Sequence, residues 1–302
     1  MKKMDFNQFT QEIVNKIREY LPDSFRNADI QLQSVVKTND VKLTGIVIRE
    51  AESNICPTIY LEQFYQRFCE GTSDLQHTLS EIARIRLEHQ VKGAFEFNLI
   101  TDFEEAKDKI IPRIVNREWN KELLKVRPYK ELADLAVTYH ILVGDDQFGG
   151  TSSVPVTDPL MSTWGVDVDT VHTHAVSNMK RLIPSTFRKM SDVLRGMMPG
   201  MDEEMFFPTD EIMYVLSNSK GLGGAAAVLD EDMMSDITDK IGEKFFIIPS
   251  STHEVIIVKS DQTDLEQITA MINEVNGSVV SEDERLSDHP YRYYKDKGIV
   301  IA

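Results

Sequence analysis

Apolar residues recur every three or four positions near the start of the chain and then give way to alternation. The first pattern stops before Pro22 and predicts an amphipathic helix over residues 5–21. Residues 30–33 alternate between apolar and polar side chains, and the apolar run 41–48 follows the turn-forming pair Asn39-Asp40, which predicts a β-hairpin. The chain should therefore begin with a helix packed on antiparallel strands.

Two more helices are expected before residue 90. Residues 61–69 predict a short helix, and Ser73 with Gln76 forms the capping box of a longer one that ends near His89. A capping box satisfies free backbone N–H groups at a helix start, so this pattern is specific.

The middle of the chain is predicted to contain strands and one interrupted helix. Residues 91–100 are apolar enough for a strand, and residues 102–111 favour a helix that Pro112 ends. Residues 133–143 are rich in β-branched and aromatic side chains, and a glycine-rich loop leads to a returning strand at 151–156. The second pair is predicted to be a hairpin.

Three further helices are marked by their first residues. Asp167 precedes apolar residues at helical spacing. Asp230 lies between apolar residues as in a hydrophobic staple, and Gly242 ends the helix that follows. Thr263 and Glu266 are predicted to cap the last helix.

Short apolar runs between these helices predict further strands, at 213–216, 245–248 and 255–258. Hairpins that alternate with single helices give antiparallel sheets covered by helices, whereas a doubly wound parallel fold needs a helix between each pair of strands. We therefore predict an α+β fold made of two coupled halves, residues 1–125 and 126–302.

The charge balance restricts the partners. The chain has 302 residues, with 49 acidic and 33 basic side chains and a formal net charge of −16. Such a chain repels phosphate backbones and anionic lipid surfaces on average, so direct nucleic-acid binding is not expected. Acidity that serves solubility is the simplest interpretation, and a basic partner or mimicry of a nucleic acid is the alternative.

Cysteine content and hydropathy point to a reducing compartment away from membranes. Cys56 and Cys69 are the two cysteines, without C-x-x-C spacing and without a secretory leader before them. No stretch approaches the roughly 18 to 20 apolar residues that a membrane span needs. We expect a cytoplasmic protein with no membrane segment.

A glycine-rich segment carries the strongest cofactor motif. Residues 221–226 match the G-x-G-x-x-A form of the dinucleotide fingerprint, which works when a helix begins directly at the glycines. Here the best helix start is Asp230, and four polar residues separate the glycines from the preceding apolar run. We predict a hairpin turn that leads into a strand at 225–229 and expect no cofactor, with nucleotide binding as the alternative.

The segment Pro249-Ser250-Ser251-Thr252-His253-Glu254 collects hydroxyl, imidazole and carboxylate groups, which are the groups of nucleophilic catalysis. If His253 and Glu254 begin a strand, their side chains point to opposite faces of the sheet. A structural turn is therefore the preferred interpretation. Ser250, Ser251 and His253 remain candidates for a hydrolase site.

Other clusters give weaker indications. His172 and His174 lie two apart on a predicted helix, about 200° around it, which is unsuited to one metal ion, and surface positions are expected. Methionines at 197–205 surround Pro199-Gly200 and indicate core packing or, as the alternative, an adaptable partner-binding surface.

Several motifs together resemble a known family. They are Pro112-Arg113-Ile114-Val115-Asn116, Trp164-Gly165-Val166, the Ile248–Glu254 segment, Leu286-Ser287-Asp288 and Tyr291-Arg292-Tyr293. In this order they resemble a family of proteins of unknown function from Gram-positive gut anaerobes, over about residues 5–295. The second half is also similar to another uncharacterised bacterial family, and neither resemblance implies an activity.

The function predicted from the sequence is therefore a binding or regulatory role, with a possible protein partner. The alternatives are a hydrolase-like enzyme at the serine turn and an acidic decoy of a nucleic acid.

Overall fold

The computed structural model describes residues 4–50, 56–89, 98–145, 151–197, 213–259 and 264–302, and these form two compact units. Unit 1 comprises Met1–Lys37 and Val41–Phe97, and unit 2 comprises Thr38–Asp40 and Asn98–Ala302. Both units combine helices with antiparallel sheets, so the predicted α+β class is confirmed.

Unit 1 places helices on a three-stranded sheet, counted over its described residues, with strand order β1-β2-β3. Its elements are α1 (Phe6–Lys16), β1 (Asp29–Val36), β2 (Lys42–Arg49), β3 (Thr58–Tyr60), α2 (Glu62–Glu70) and α3 (Leu75–Glu88). The predicted hairpin is confirmed, with Asp29 opposite Arg49. Phe9 and Ile13 of α1 are fully buried in the core of this unit, and Phe6 packs against it partly buried.

The start of α3 differs by one residue from the prediction. Asp74, rather than Ser73, is the N-cap residue, and its carboxylate accepts a hydrogen bond from the backbone N–H of His77 at 2.7 Å. A carboxylate at this position also interacts favourably with the helix dipole, which explains the preference.

Unit 2 begins with short helices and a sheet. Its first elements are α4 (Asn98–Thr101), α5 (Phe103–Ala106), β4 (Ile110–Asn116), α6 (Lys121–Leu124), β5 (Lys130–Leu132), β6 (Leu135–Asp145), β7 (Thr151–Pro155), α7 (Asp158–Trp164) and α8 (Val168–Leu182). In the described part of the chain, β4 to β7 form a four-stranded sheet in which β6 pairs with the other three strands.

The remaining elements of unit 2 build a second sheet, with strand order β13-β12-β10-β11-β9-β8 among the described residues. They are β8 (Ser185–Lys189), α9 (Met190–Met197), β9 (Met213–Asn218), α10 (Glu231–Ile241), β10 (Phe245–Ser251), β11 (Glu254–Lys259), α11 (Leu265–Ser278), β12 (Tyr291–Tyr294) and β13 (Gly298–Ile301). Side chains from both sheets and from α8 and α10 share one apolar core.

The region around Pro112 corrects two predictions. The helix expected over 102–111 ends early, at Ala106 followed by a 3₁₀ turn, and Pro112 lies inside β4. Proline is tolerated there because β4 is an edge strand of its sheet. The strand expected at 91–100 falls largely on residues 90–97, outside the described residues, and its end at Asn98–Thr101 is helical.

This strand also explains where the chain divides. The compact units separate near residue 97. The two halves predicted from the sequence, 1–125 and 126–302, stay a prediction. All seven residues of β4 pair with β6, so this strand belongs to unit 2 together with β6.

The predicted helices and hairpins of the last third are present, with two changes. The helix starts at Asp167 and Asp230 are confirmed, since each carboxylate caps its own helix. Asp264, rather than Thr263, caps α11. Residues 224–229 form a 3₁₀ helix instead of the predicted strand.

Gly224 allows this 3₁₀ helix to approach the second sheet closely. A Cβ atom added at Gly224 would lie 2.2 Å from Ser217 Oγ and 2.4 Å from the carbonyl oxygen of His253. These two groups are hydrogen-bonded to each other at 2.8 Å, so neither can move away from the added atom without breaking this hydrogen bond. Only glycine fits between β9 and the turn after β10.

We expect Gly224→Ala to destabilise unit 2 by about 2 to 3 kcal/mol, because overpacking forces backbone shifts. Urea unfolding followed by tryptophan fluorescence measures this, since Trp119 and Trp164, the two tryptophans of the chain, both belong to unit 2. The matched control is Gly277→Ala in α11, where nothing lies within 4 Å of the added atom. It should be neutral or stabilise by about 0.5 to 1 kcal/mol. Equal behaviour of the two variants would contradict the close approach.

Candidate functional site

The serine turn predicted from the sequence joins β10 to β11. The hydroxyl of Ser251 accepts a hydrogen bond from the backbone N–H of His253 at 3.0 Å, and Ser250 Oγ lies 3.4 Å from a carboxylate oxygen of Glu254. The backbone N–H of Thr252 donates to the carbonyl of Glu284 at 2.8 Å. The hydroxyl groups therefore close the turn.

His253 is engaged on both sides of its ring. Its Nδ1 accepts a hydrogen bond from the backbone N–H of Gly223 at 3.1 Å, and its Nε2 lies 3.4 Å from a carboxylate oxygen of Glu284. An acceptor at Nδ1 places the ring proton at Nε2, facing that carboxylate.

The three candidate residues thus lie together, but the described hydrogen bonds include none between the imidazole of His253 and the hydroxyl of Ser250 or Ser251. A nucleophilic serine needs its base within hydrogen-bond reach. The hydrolase hypothesis stays a prediction that requires His253 to leave Gly223 or Glu284.

The glycine segment connects this turn to the four-stranded sheet. Gly221 and Gly223 have φ values of 64° and 63°, in the left-handed region that favours glycine. β9, which precedes them, pairs antiparallel with both β8 and β11. The dinucleotide fingerprint requires a parallel sheet and a full α-helix at the glycines, so its structural context is absent from the described residues.

Arg113 lies on the other side of Gly223. A Cβ atom added at Gly223 would lie 3.1 Å from Arg113 Cγ and 3.3 Å from its Nε. The backbone of the glycine segment therefore packs directly on the aliphatic part of this arginine. Ile111, Ile114 and the rest of β4 are otherwise apolar and buried, apart from Asn116 at its end.

Strand register brings two more polar residues to the same face. Arg113 lies opposite Thr138 and Ile111 opposite His140, while Ser153 lies opposite Leu142. Because directly paired residues and residues two apart point to one side of a sheet, Arg113, His140 and Ser153 share a face.

A hydrogen-bonded chain joins these three side chains. Arg113 Nη2 donates to Ser153 Oγ at 3.0 Å, and Ser153 Oγ lies 3.3 Å from His140 Nδ1. Arg113 Nε is shielded from solvent and has no hydrogen-bond acceptor among the described residues. A guanidinium N–H that is shielded from solvent and lacks an acceptor costs free energy, so Arg113 Nε is an unsatisfied donor beside these side chains.

Arg127, in the segment between α6 and β5, adds a second positive charge. Burial lowers the pKa of Arg113 to about 10, and the charge of Arg127 contributes to this shift. Burial also lowers the pKa of Arg127. The pKa of His140 falls well below its usual value, first because it is buried and then because both guanidinium groups repel a third positive charge.

No carboxylate among the described residues lies within ion-pair distance of Arg113 or Arg127. Two arginines elsewhere in the chain do have a carboxylate partner. The buried Arg86 donates to the carbonyl of Ile48 at 2.8 Å and pairs with Glu50 at 3.2 Å, and Arg117 at the end of β4 pairs with Glu131. Arg113, Arg127, His140 and Ser153, together with the Gly223 backbone, are named here the basic cluster.

The sequence contains a signal for this cluster, although the cluster was not predicted. Arg113 and His140 each interrupt an apolar run that forms a strand, at Ile110–Asn116 and at Leu135–Asp145. A titratable residue in such a position is either paired or functional. Pro112 indicated a helix end, so the strand β4 was not predicted.

The remaining predicted groups are located as follows. His172 and His174 are half-buried rather than on the surface, since Tyr139 hydrogen-bonds to His172 Nδ1 at 3.1 Å and Phe103 packs against His174. Cys56 and Cys69 are not joined in a disulfide. Among the described residues no group of histidine, cysteine and carboxylate side chains could hold a metal ion. The methionine cluster lies beyond Met197, outside the described residues.

The motifs that carry the family resemblance border these features. Pro112–Asn116 is the body of β4, and Asn116 donates to the carbonyl of Leu286 at 3.3 Å. The Tyr291 hydroxyl donates to Asp134 at 2.9 Å. A model described as a family of unknown function, DUF5688, matches residues 6–295.

The chain belongs to the DUF5688 family. This match confirms a resemblance to proteins of unknown function over nearly the whole chain, and the description carries no activity. No curated protein and no solved structure matches this DUF5688 member. Its described helices are all too short or too polar to cross a lipid bilayer.

We expect Arg113→Met to stabilise this family member by about 1 to 2 kcal/mol, because a desolvated charge is replaced by an apolar chain of similar length. The folded-state pKa is depressed below the unfolded value of 12.5, so the charged form is disfavoured by folding at every pH below about 10. The full gain should therefore appear at pH 7. Urea unfolding measures it. A loss of stability would indicate that Arg113 supports the fold instead.

Proposed function

We propose that the chain is a binding protein for a phosphoryl group, either free phosphate or a phosphate ester on a small molecule, held at the basic cluster. The observation that carries this proposal is the partly buried guanidinium of Arg113, whose Nε is shielded from solvent and has no acceptor among the described residues. Oxyanions bind where several fixed donors and positive charges converge.

The number of charges favours a dianion. Arg113 and Arg127 remain protonated at neutral pH, since even the lowered pKa of Arg113 is about 10. Two positive charges match a phosphate ester, which carries about −1.5 to −2 charges at pH 7, better than a carboxylate. Ser153 adds a hydroxyl that can donate to an anion oxygen.

Isothermal titration calorimetry with inorganic phosphate, phenyl phosphate and acetate tests this function. We expect saturable binding of at least one phosphate probe, and binding at least about tenfold weaker for acetate. A preference for phenyl phosphate would identify an ester as the ligand, and equal binding would identify free phosphate. Arg113→Met and Arg127→Met should each weaken binding about 10- to 100-fold, the range for a charge-assisted hydrogen bond.

Arg188→Met is the matched control, because Arg188 is an exposed arginine on β8 and its removal changes the net charge equally. It should bind the phosphate probes as the unmodified chain does. If neither phosphate probe binds at millimolar concentration, or if all three variants behave alike, the proposed function is wrong.

The hydrolase alternative is favoured by one observation, the proximity of His253 to Glu284 within a serine-rich turn. Because Gly223 occupies Nδ1 and Glu284 faces Nε2, we expect no labelling by a fluorophosphonate probe above that of the heat-denatured chain. Gel fluorescence measures the labelling. Labelling that disappears in Ser250→Ala or Ser251→Ala, and in His253→Gln, would favour the hydrolase instead.

A cytoplasmic location fits this proposal, because phosphate esters are common intracellular ligands. A bacterial, Gram-positive origin is proposed from the family resemblance alone. A protein partner that responds to the ligand would make the role regulatory. The net charge of −16 supports a partner other than nucleic acid.

A further inference from the structure

The first bond of the hydrogen-bonded chain in the basic cluster has a defined direction. A guanidinium group can only donate, so Ser153 Oγ accepts from Arg113 Nη2. The hydrogen of the Ser153 hydroxyl is then available to His140 Nδ1, 3.3 Å away. In this arrangement His140 is neutral and carries its one ring proton on Nε2.

The surroundings of His140 keep it neutral. The ring is about 9% exposed and lies beside Ser153 of β7, and the positive charges of Arg113 from β4 and of Arg127 from the segment before β5 act on it. Within the described residues, the charged groups that act on it are the two guanidinium groups, and both disfavour protonation. A third positive charge has no compensation in the ligand-free cluster.

An anion in the cluster changes this balance. Its negative charge offsets the two guanidinium groups, so that a positive imidazole is no longer opposed. Ser153 Oγ has two lone pairs and one hydrogen. It can therefore accept from Arg113 Nη2 and from a protonated His140 Nδ1 while its own hydrogen turns to an anion oxygen. Each of these three donors then has an acceptor.

We propose that His140 takes up one proton from solvent when a phosphoryl group binds the basic cluster, and that the Ser153 hydroxyl turns from the imidazole to the anion. This inference rests on the proposed function and adds its regulation. The proton binds at Nδ1 without any other bond being made or broken, and the new N–H donates to Ser153 Oγ. Ligand affinity should consequently increase as the pH falls.

Nuclear magnetic resonance of the full chain labelled in its histidine side chains tests the proposal directly. The Cε1–H signal of His140 is assigned by its disappearance in His140→Asn. Without phosphate it should still be at the neutral position near pH 6.5, where an unperturbed imidazole is half protonated. With saturating inorganic phosphate, its titration midpoint should increase by at least about one pH unit. His174, which lies outside the cluster against Phe103, is the internal control and should not shift.

Calorimetry on the same two proteins gives a second measurement. The affinity of the unmodified chain for inorganic phosphate, divided by that of His140→Asn at the same pH, should increase from pH 8 to pH 6, by up to about tenfold for each pH unit by which phosphate raises the His140 midpoint. This ratio cancels the titration of phosphate itself.

The outcomes separate the two proposals. If inorganic phosphate binds and the His140 signal and the affinity ratio stay constant, the proton uptake is wrong and the phosphoryl-binding function stands. If neither inorganic phosphate nor phenyl phosphate binds, both are overturned. If phosphate binds and His140 titrates only in its presence, the coupling is established.

Discussion

The interaction on which the candidate site depends is the burial of positive charge without a carboxylate partner. Desolvating a guanidinium costs several kcal/mol unless a counter-charge or a full set of acceptors replaces water. Arg86 has such a counter-charge, since it pairs with Glu50 and bonds to the carbonyl of Ile48, while its Nη1 has no acceptor among the described residues. Arg113 has no carboxylate partner among the described residues, and Ser153 is its one hydrogen-bond partner there. The missing counter-charge at Arg113 is the difference from Arg86 that supports the proposed anionic ligand.

The two sheets of unit 2 hold this cluster through the glycine segment. On one side Gly223 donates its backbone N–H to His253, and on the other its Cα lies against the stem of Arg113. Gly224 fits between Ser217 and the carbonyl of His253. The serine turn and the glycine segment, which looked like separate catalytic and cofactor motifs in the sequence, are therefore parts of one support. His253 acts in it as a positioning residue for the backbone beside Arg113.

Local patterns were enough to predict much of the fold. Apolar spacing and aspartate caps located α8 and α10, and alternation located the hairpin of β1 and β2, because these elements depend on contacts close in sequence. The basic cluster depends on pairing between residues far apart in the chain, such as Ile111 with His140. Pro112 gave a helix-ending signal in what is an edge strand, and the 3₁₀ helix at 224–229 has the apolar composition of a strand. Strand register and tertiary packing determine the structure at both places, and a short stretch of sequence contains no information on either.

The acidity of the whole chain and the basic cluster are compatible because they act over different distances. At physiological ionic strength charges separated by more than about 8 Å in solvent are largely screened, so the net charge of −16 acts mainly on the approach of ligands. At the buried cluster the two guanidinium groups dominate, since screening is weak there. The proposed anion must therefore engage both arginines and Ser153 to offset the repulsion of the acidic surface. Selectivity in such a site comes from the contrast between an acidic exterior and an uncompensated basic interior.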